Sequence, residues 1–146
     1  PRPDTETLVM AVLDVAKWLG LFHDAFREGD MVRIRSDAIL KNFIVNDRIY
    51  GIDLELSRMG RPEEDVGETL AYLLDAYPMF APHKFELARE FITCYEKESG
   101  YVLENIEEHI ARSLREAAEF RPAQKEILIK KARDIEDSRP FTRCPR

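Results

Sequence analysis

An aspartate at position 37, an asparagine at 42, a second aspartate at 53 and a glutamate at 55 are the residues whose types and spacing can do chemistry. Their order suits phosphoryl transfer from ATP. The first carboxylate can accept the proton of an acceptor hydroxyl, while the amide oxygen of Asn42 and the carboxylate of Asp53 hold magnesium against the phosphates. All are hard oxygen donors, the kind magnesium takes beside water and substrate phosphate. Glu55 adds a carboxylate on the same face as Asp53 wherever that stretch is extended, because alternate side chains share a face. Lys41 can reach a transferred phosphate, or it can serve as a solvated loop charge.

These residues need a scaffold that brings them together. Phe43, Ile44 and Val45 read as a strand, Asn46 and Asp47 as a turn, and residues 48–52 as the returning strand of a hairpin. A hairpin joins its two ends, so Asn42 and Asp53 are expected within reach of one magnesium ion, with Asp37 opening onto the same cleft. Helices are expected elsewhere. Leu8, Val12, Val15, Leu19, Phe22 and Phe26 recur at helical spacing, and Val9, Leu13, Ala16 and Trp18 add apolar surface on the other faces. A helix apolar nearly all round predicts burial, with Asp4 as its N-cap and Gly29 as its end. Residues 58–62 read as a loop. Val66, Leu70, Leu73 and Tyr77 mark a helix starting near Asp65 and stopping before Pro78. Pro82 opens another, carrying Phe85, Ala88, Ile92 and Tyr95 and closed by Gly100. Leu103, Ile106, Ile110, Leu114 and Ala117 make a further helix bounded by Pro122, and residues 123–137 a last one. The stretch 138–146, with two prolines and no periodicity, is expected to be a mobile tail.

Residues 37–42 and 52–55 resemble the catalytic loop and the metal-binding loop of the protein-kinase-like superfamily, nearest to its aminoglycoside-phosphotransferase, choline-kinase and RIO-type branches. The resemblance implies Asp37 as the catalytic aspartate, Asn42 and Asp53 as metal ligands, and Glu55 as the extra acid that choline-kinase-like members place after the metal aspartate. Glu64, Asp65, Val66 and Gly67 resemble the start of that fold's long central helix, whose aspartate supports the catalytic-loop backbone. Residues 91–95, followed by Ser99 and Gly100, resemble a helix end that recurs in phosphotransferases of the aminoglycoside type. The likeness spans roughly residues 8–120 and implies a mainly α fold with one small β-hairpin, a protein-kinase-like C-terminal lobe running over 1–146. ATP and magnesium are the cofactors it implies.

Two departures stand out. Arg35 occupies the position, two before the aspartate, where superfamily members carry a histidine. No glycine-rich loop or strand lysine lies among the residues before Asp37, so the nucleotide-covering N-terminal lobe is expected to lie outside this chain. With Pro1 as its first residue, the chain is expected to be a fragment, and its foremost partner the missing lobe of the same protein. The isolated chain is then expected to be inactive, and its parent is expected to be a kinase acting on an alcohol acceptor. Surface that the lobe would cover makes homodimerisation a further expectation.

Composition is compatible with this picture. At 146 residues, 45% hydrophobic and 10% aromatic, the chain can fold as one domain with its own core. A net charge of −6 argues against broad binding to nucleic acid or anionic membranes, and no apolar run approaches the roughly 18 residues of a membrane span. Cys94 and Cys144 form no metal or redox spacing, and the expected compartment is the cytoplasm. A charged content of 34% with one Gln and three Asn leans toward a thermophilic source. His23 reads as packed or hydrogen-bonded, His83 and His109 as surface positions, and Phe91, Tyr95 and Trp18 as core. Asp65 can cap its helix, support the loop, or do both, and Arg35 can pair with an acid or face water. Glu96, Glu98, Glu104, Glu107 and Glu108 could draw a cationic acceptor or form an ordinary solvated helix face. Three classes of function are open at this point: a phosphotransferase lobe, a non-catalytic kinase-derived binding module, and a helical interaction domain with coincidental spacing.

Overall fold

Pro62 and Glu64 start the helix on which the rest of the molecule is built. Proline suits the first helical position, where its missing N–H is not needed. The Glu64 carboxylate reaches back to accept the Arg61 N–H at 2.8 Å, one of the donors a helix start leaves without an intrahelical partner. The computed structural model describes residues 5–35, 43–45, 49–51 and 57–142. In chain order these form α1 (Thr5–Ala25), β1 (Arg27–Glu28), β2 (Met31–Ile34), β3 (Phe43–Val45), β4 (Ile49–Gly51), β5 (Arg58–Gly60), α2 (Pro62–Asp75), α3 (Pro82–Ser99), α4 (Ile106–Phe120), a short 3-10 turn (Pro122–Gln124) and α5 (Lys125–Ser138). The fold is mainly helical, with small antiparallel sheets.

Helix α2 is central: every residue except Glu64, Glu68 and Tyr72 is buried. It packs against α3 and closely against α4, while α1 pairs with α3 and α4 with α5. Val66, Leu70 and Leu74 of α2 join Leu19, Phe91, Ile110, Leu114, Leu128 and Ile135 in one apolar core. Gly67 is what lets α2 and α4 approach. A Cβ there would stand 2.6 Å from the His109 Cβ and 3.0 Å from its carbonyl carbon. Gly67→Ala is therefore expected to destabilise the fold by about 2 kcal/mol, since overpacking against a neighbouring helix outweighs the gain in helix propensity. A lowered urea midpoint at unchanged slope would register it, and an unchanged or raised midpoint would show that α4 yields freely.

Several expectations are corrected. The first helix is not buried all round: Val15, Ala16, Leu19, Gly20 and His23 face the interior, whereas Leu8, Met10 and Leu21 are more than half exposed. It ends at Ala25, and Gly29, at φ 58°, instead serves the tight turn between β1 and β2, where Glu28 pairs with Met31. α2 begins at Pro62, three residues before the expected start. Residues 58–60 are a strand, not a loop, and β1, β2 and β5 form a sheet in the order β1-β2-β5 that the sequence reading lacked. The stretch after 138 is held at least through Thr142. Its Phe141 ring stacks on Phe85, and the buried Glu107 carboxylate accepts hydrogen bonds from Phe141 N at 2.9 Å and from the Thr142 hydroxyl. Residues 143–146, like Asp4, lie outside the described residues. The expected hairpin is present, with β3 and β4 antiparallel and Ile44 opposite Tyr50. Gly100, at φ 76°, closes α3 as expected, donating its N–H to Glu96 O. No helix among the described residues is long and apolar enough to cross a membrane.

Candidate functional site

Two ladders fix where the chemistry-bearing segments begin and end. β2 pairs with β5 so that Ile34 lies opposite Arg58, and β3 pairs with β4 so that Phe43 lies opposite Gly51. The chain between Ile34 and Phe43 carries Asp37, Lys41 and Asn42, and the chain between Gly51 and Arg58 carries Asp53 and Glu55. Both therefore connect the same two ladder ends, in opposite directions. A side-chain bond strengthens one of these ends: Arg33 Nη1 donates to Ser57 Oγ at 3.1 Å. Asp37, Lys41, Asn42, Asp53 and Glu55 themselves lie outside the described residues, as does the Asn46–Asp47 turn.

A buried polar seam meets the chain at Arg35. Asp65 Oδ2, on α2, accepts the backbone N–H of Arg35 at 2.8 Å and lies 2.8 Å from His23 Nε2, on α1. The other ring nitrogen, His23 Nδ1, lies 2.7 Å from the Tyr95 hydroxyl, on α3. His23, Arg35, Asp65 and Tyr95 are all at most 1% exposed. Burial pushes the Tyr95 phenol far above its usual range, so its hydroxyl keeps its proton. With its proton on Nε2, the ring donates to the carboxylate and accepts the Tyr95 hydroxyl at Nδ1. His23 thus has the hydrogen-bonded structural place that its sequence context suggests. Asp65 sits one turn inside α2 and is not its cap. Its contact is with the backbone two residues before Asp37.

Arg35 does not face water. Its side chain is fully buried, with the guanidinium carbon 5.5 Å from the centre of the Trp18 ring. Trp18 in turn stacks on Phe22 at 5.1 Å, and is half-buried, not fully core. Glu64 ties β5 to α2 by accepting Arg58 Nη2 at 2.7 Å as well as the Arg61 N–H. Burial opposes its charge, but these two donors outweigh the penalty and hold the Glu64 carboxyl below its usual range. Beside this pair opens a polar cleft of about 260 Å³ that includes Asp65, His109, Arg112 and Ser113. His109 is half-buried rather than a surface residue, and burial beside Arg112 lowers its pKa.

The five acids considered for a cationic acceptor do not share a face. Glu107 is buried and holds the C-terminal segment, Glu96 accepts Leu103 N at 2.8 Å, and Glu104 and Glu108 are exposed. Sequence reasoning missed the anchoring role of Glu107, for which the only signal was a carboxylate in the first turn of a helix. Tyr95 is core as expected, but its hydrogen bond with His23 was missed. Among the described residues no three His, Cys, Asp or Glu side chains converge as a metal site. Comparison of the chain with known protein families, characterised proteins and solved structures finds no match.

Proposed function

We propose that this chain is the C-terminal catalytic lobe of an ATP-dependent phosphotransferase, moving the γ-phosphoryl group to a hydroxyl of a protein or small molecule. The observation that carries the reading is the Asp65 carboxylate receiving the Arg35 N–H, which ties the central helix to the backbone two residues before Asp37. The paired ladders add to it, because the two segments bearing Asp37, Asn42 and Asp53 share both their ends.

In this reading Asp37 accepts the proton of the acceptor hydroxyl and orients it for in-line attack. Asn42 and Asp53 hold magnesium, with Glu55 as a further carboxylate, and Lys41 lies on the phosphate side. Their oxygen donor set fits that ion, which when bound neutralises charge on the phosphates. The lobe that would supply a phosphate-positioning lysine is a partner of this chain in the proposal.

One observation favours a second reading, a non-catalytic kinase-derived module. Arg35, a buried cation against Trp18, stands where the superfamily has a histidine. An assay of magnesium–ATP turnover, run on the protein from the complete reading frame and on the 146-residue chain, separates the two. Turnover by the longer protein and none by the chain alone is the expected result. Absence of turnover in both would leave the binding module, and turnover by the chain alone would overturn the need for a second lobe.

A further inference from the structure

We infer that Tyr95 and His23 are positioning residues for the segment carrying Asp37, acting through Asp65 without touching substrate. This rests on the phosphotransferase reading. The argument begins with one oxygen atom. Asp65 Oδ2 serves both His23 Nε2 and Arg35 N, each at 2.8 Å, so the carboxylate cannot turn toward one without loosening the other. Where the imidazole points therefore decides where the Arg35 backbone is held.

The imidazole in turn depends on Tyr95. With its proton on Nε2, the ring needs a donor at Nδ1, and the Tyr95 hydroxyl at 2.7 Å fills that need. Removing that hydroxyl leaves Nδ1 buried without its donor. The ring then loses the contact that fixes its orientation and is held by the Asp65 carboxylate alone. That loss loosens the oxygen that holds Arg35.

The seam crosses the whole lobe. Tyr95 comes from α3, His23 from α1 and Asp65 from α2, and all three are enclosed by the apolar core. α3 packs closely against α1, because a Cβ at Gly20 would meet Glu98 Cβ at 2.9 Å and Tyr95 O at 3.1 Å. Only two residues separate Arg35 from Asp37, a span of at most about 7 Å. A shift of about 1 Å in a reacting group can cost roughly a hundredfold in rate, so a loosened anchor at Arg35 would be felt at the carboxylate.

Tyr95→Phe tests this, since it removes one oxygen and keeps the ring that fills the core. Tyr101→Phe is the comparison, as it removes a hydroxyl that accepts a hydrogen bond from Arg27 Nε at the surface, away from the seam. In the 146-residue chain, NMR is expected to show the Arg35 amide exchanging roughly fivefold faster or more in Tyr95→Phe, while the amides of Leu70 and Phe91 keep their rates. Nitrogen shifts of the His23 ring should place its proton on Nε2 in the unsubstituted chain. In the complete protein, kcat should fall in Tyr95→Phe with KM for magnesium–ATP unchanged, and Tyr101→Phe should change neither. Equal acceleration at every amide, or an Arg35 amide that does not respond, would overturn the inference. Faster Arg35 exchange in a protein without any turnover would support the relay while removing the phosphotransferase reading. Turnover with unaltered kcat and unaltered Arg35 exchange would do the reverse.

Discussion

In the proposed phosphotransferase, Asp37→Ala and Asp53→Ala are expected to abolish turnover in different ways. On the proposed reading Asp53→Ala takes away a magnesium ligand, so magnesium–ATP binding and turnover should fall together. Asp37→Ala leaves Asn42 and Asp53 in place, so turnover should drop by orders of magnitude while nucleotide binding largely survives. The contrast follows from the chain's layout. Both aspartates sit on segments strung between the same two ladder ends, yet only Asp53 and Asn42 adjoin the hairpin pair Phe43–Gly51. Isothermal titration with magnesium–ATP beside a turnover assay separates chemistry from cofactor loading. Equal loss of binding in both variants would contradict Asp37 as the proton acceptor.

Asp65→Ala should be among the most destabilising single substitutions in the described residues, at about 4 kcal/mol. Two donors lose their acceptor at once, the Arg35 N–H and the His23 Nε2–H, and each is fully enclosed. A buried donor left without a partner costs about 1–3 kcal/mol, more where the lost partner is charged. A domain of this size commonly has only about 5–15 kcal/mol of stability in all. Asp65→Asn keeps one carbonyl oxygen and should cost about half as much. Urea unfolding followed by helical circular dichroism measures both, and a midpoint for Asp65→Ala within error of the unsubstituted chain would show that the seam carries no net stability.

Much of the helical framework was legible because its signals are local. Pro82 and Gly100 bracket α3 as a proline start and a left-handed glycine end must. Phe43, Ile44 and Val45, followed by a polar turn dipeptide and by Ile49, Tyr50 and Gly51, declared a hairpin, although its register, Val45 opposite Ile49, lies one residue beyond what a two-residue turn would set. The β1-β2-β5 sheet was hidden for the opposite reason. β1 is two residues long, β5 reads Arg58, Met59 and Gly60, and neither is long enough to show a period of two. Only their pairing with β2, set by the placement of α1 and α2, makes them strands. The first helix misled in a similar way, since its composition is apolar on every side while neighbours cover one side alone.

By itself, then, the sequence determined the oxygen-donor residues and their order, the hairpin between them, and the starts and stops of most helices, because these depend on neighbours within a few positions. The tertiary structure alone decided what His23, Tyr95 and Glu107 do. Their partners lie 42 to 72 residues away for His23 with Asp65 and Tyr95, and 35 away for Glu107 with Thr142. A polar side chain in a core must find its hydrogen-bond partner wherever packing brings one, and no periodicity along the chain records which distant residue that will be.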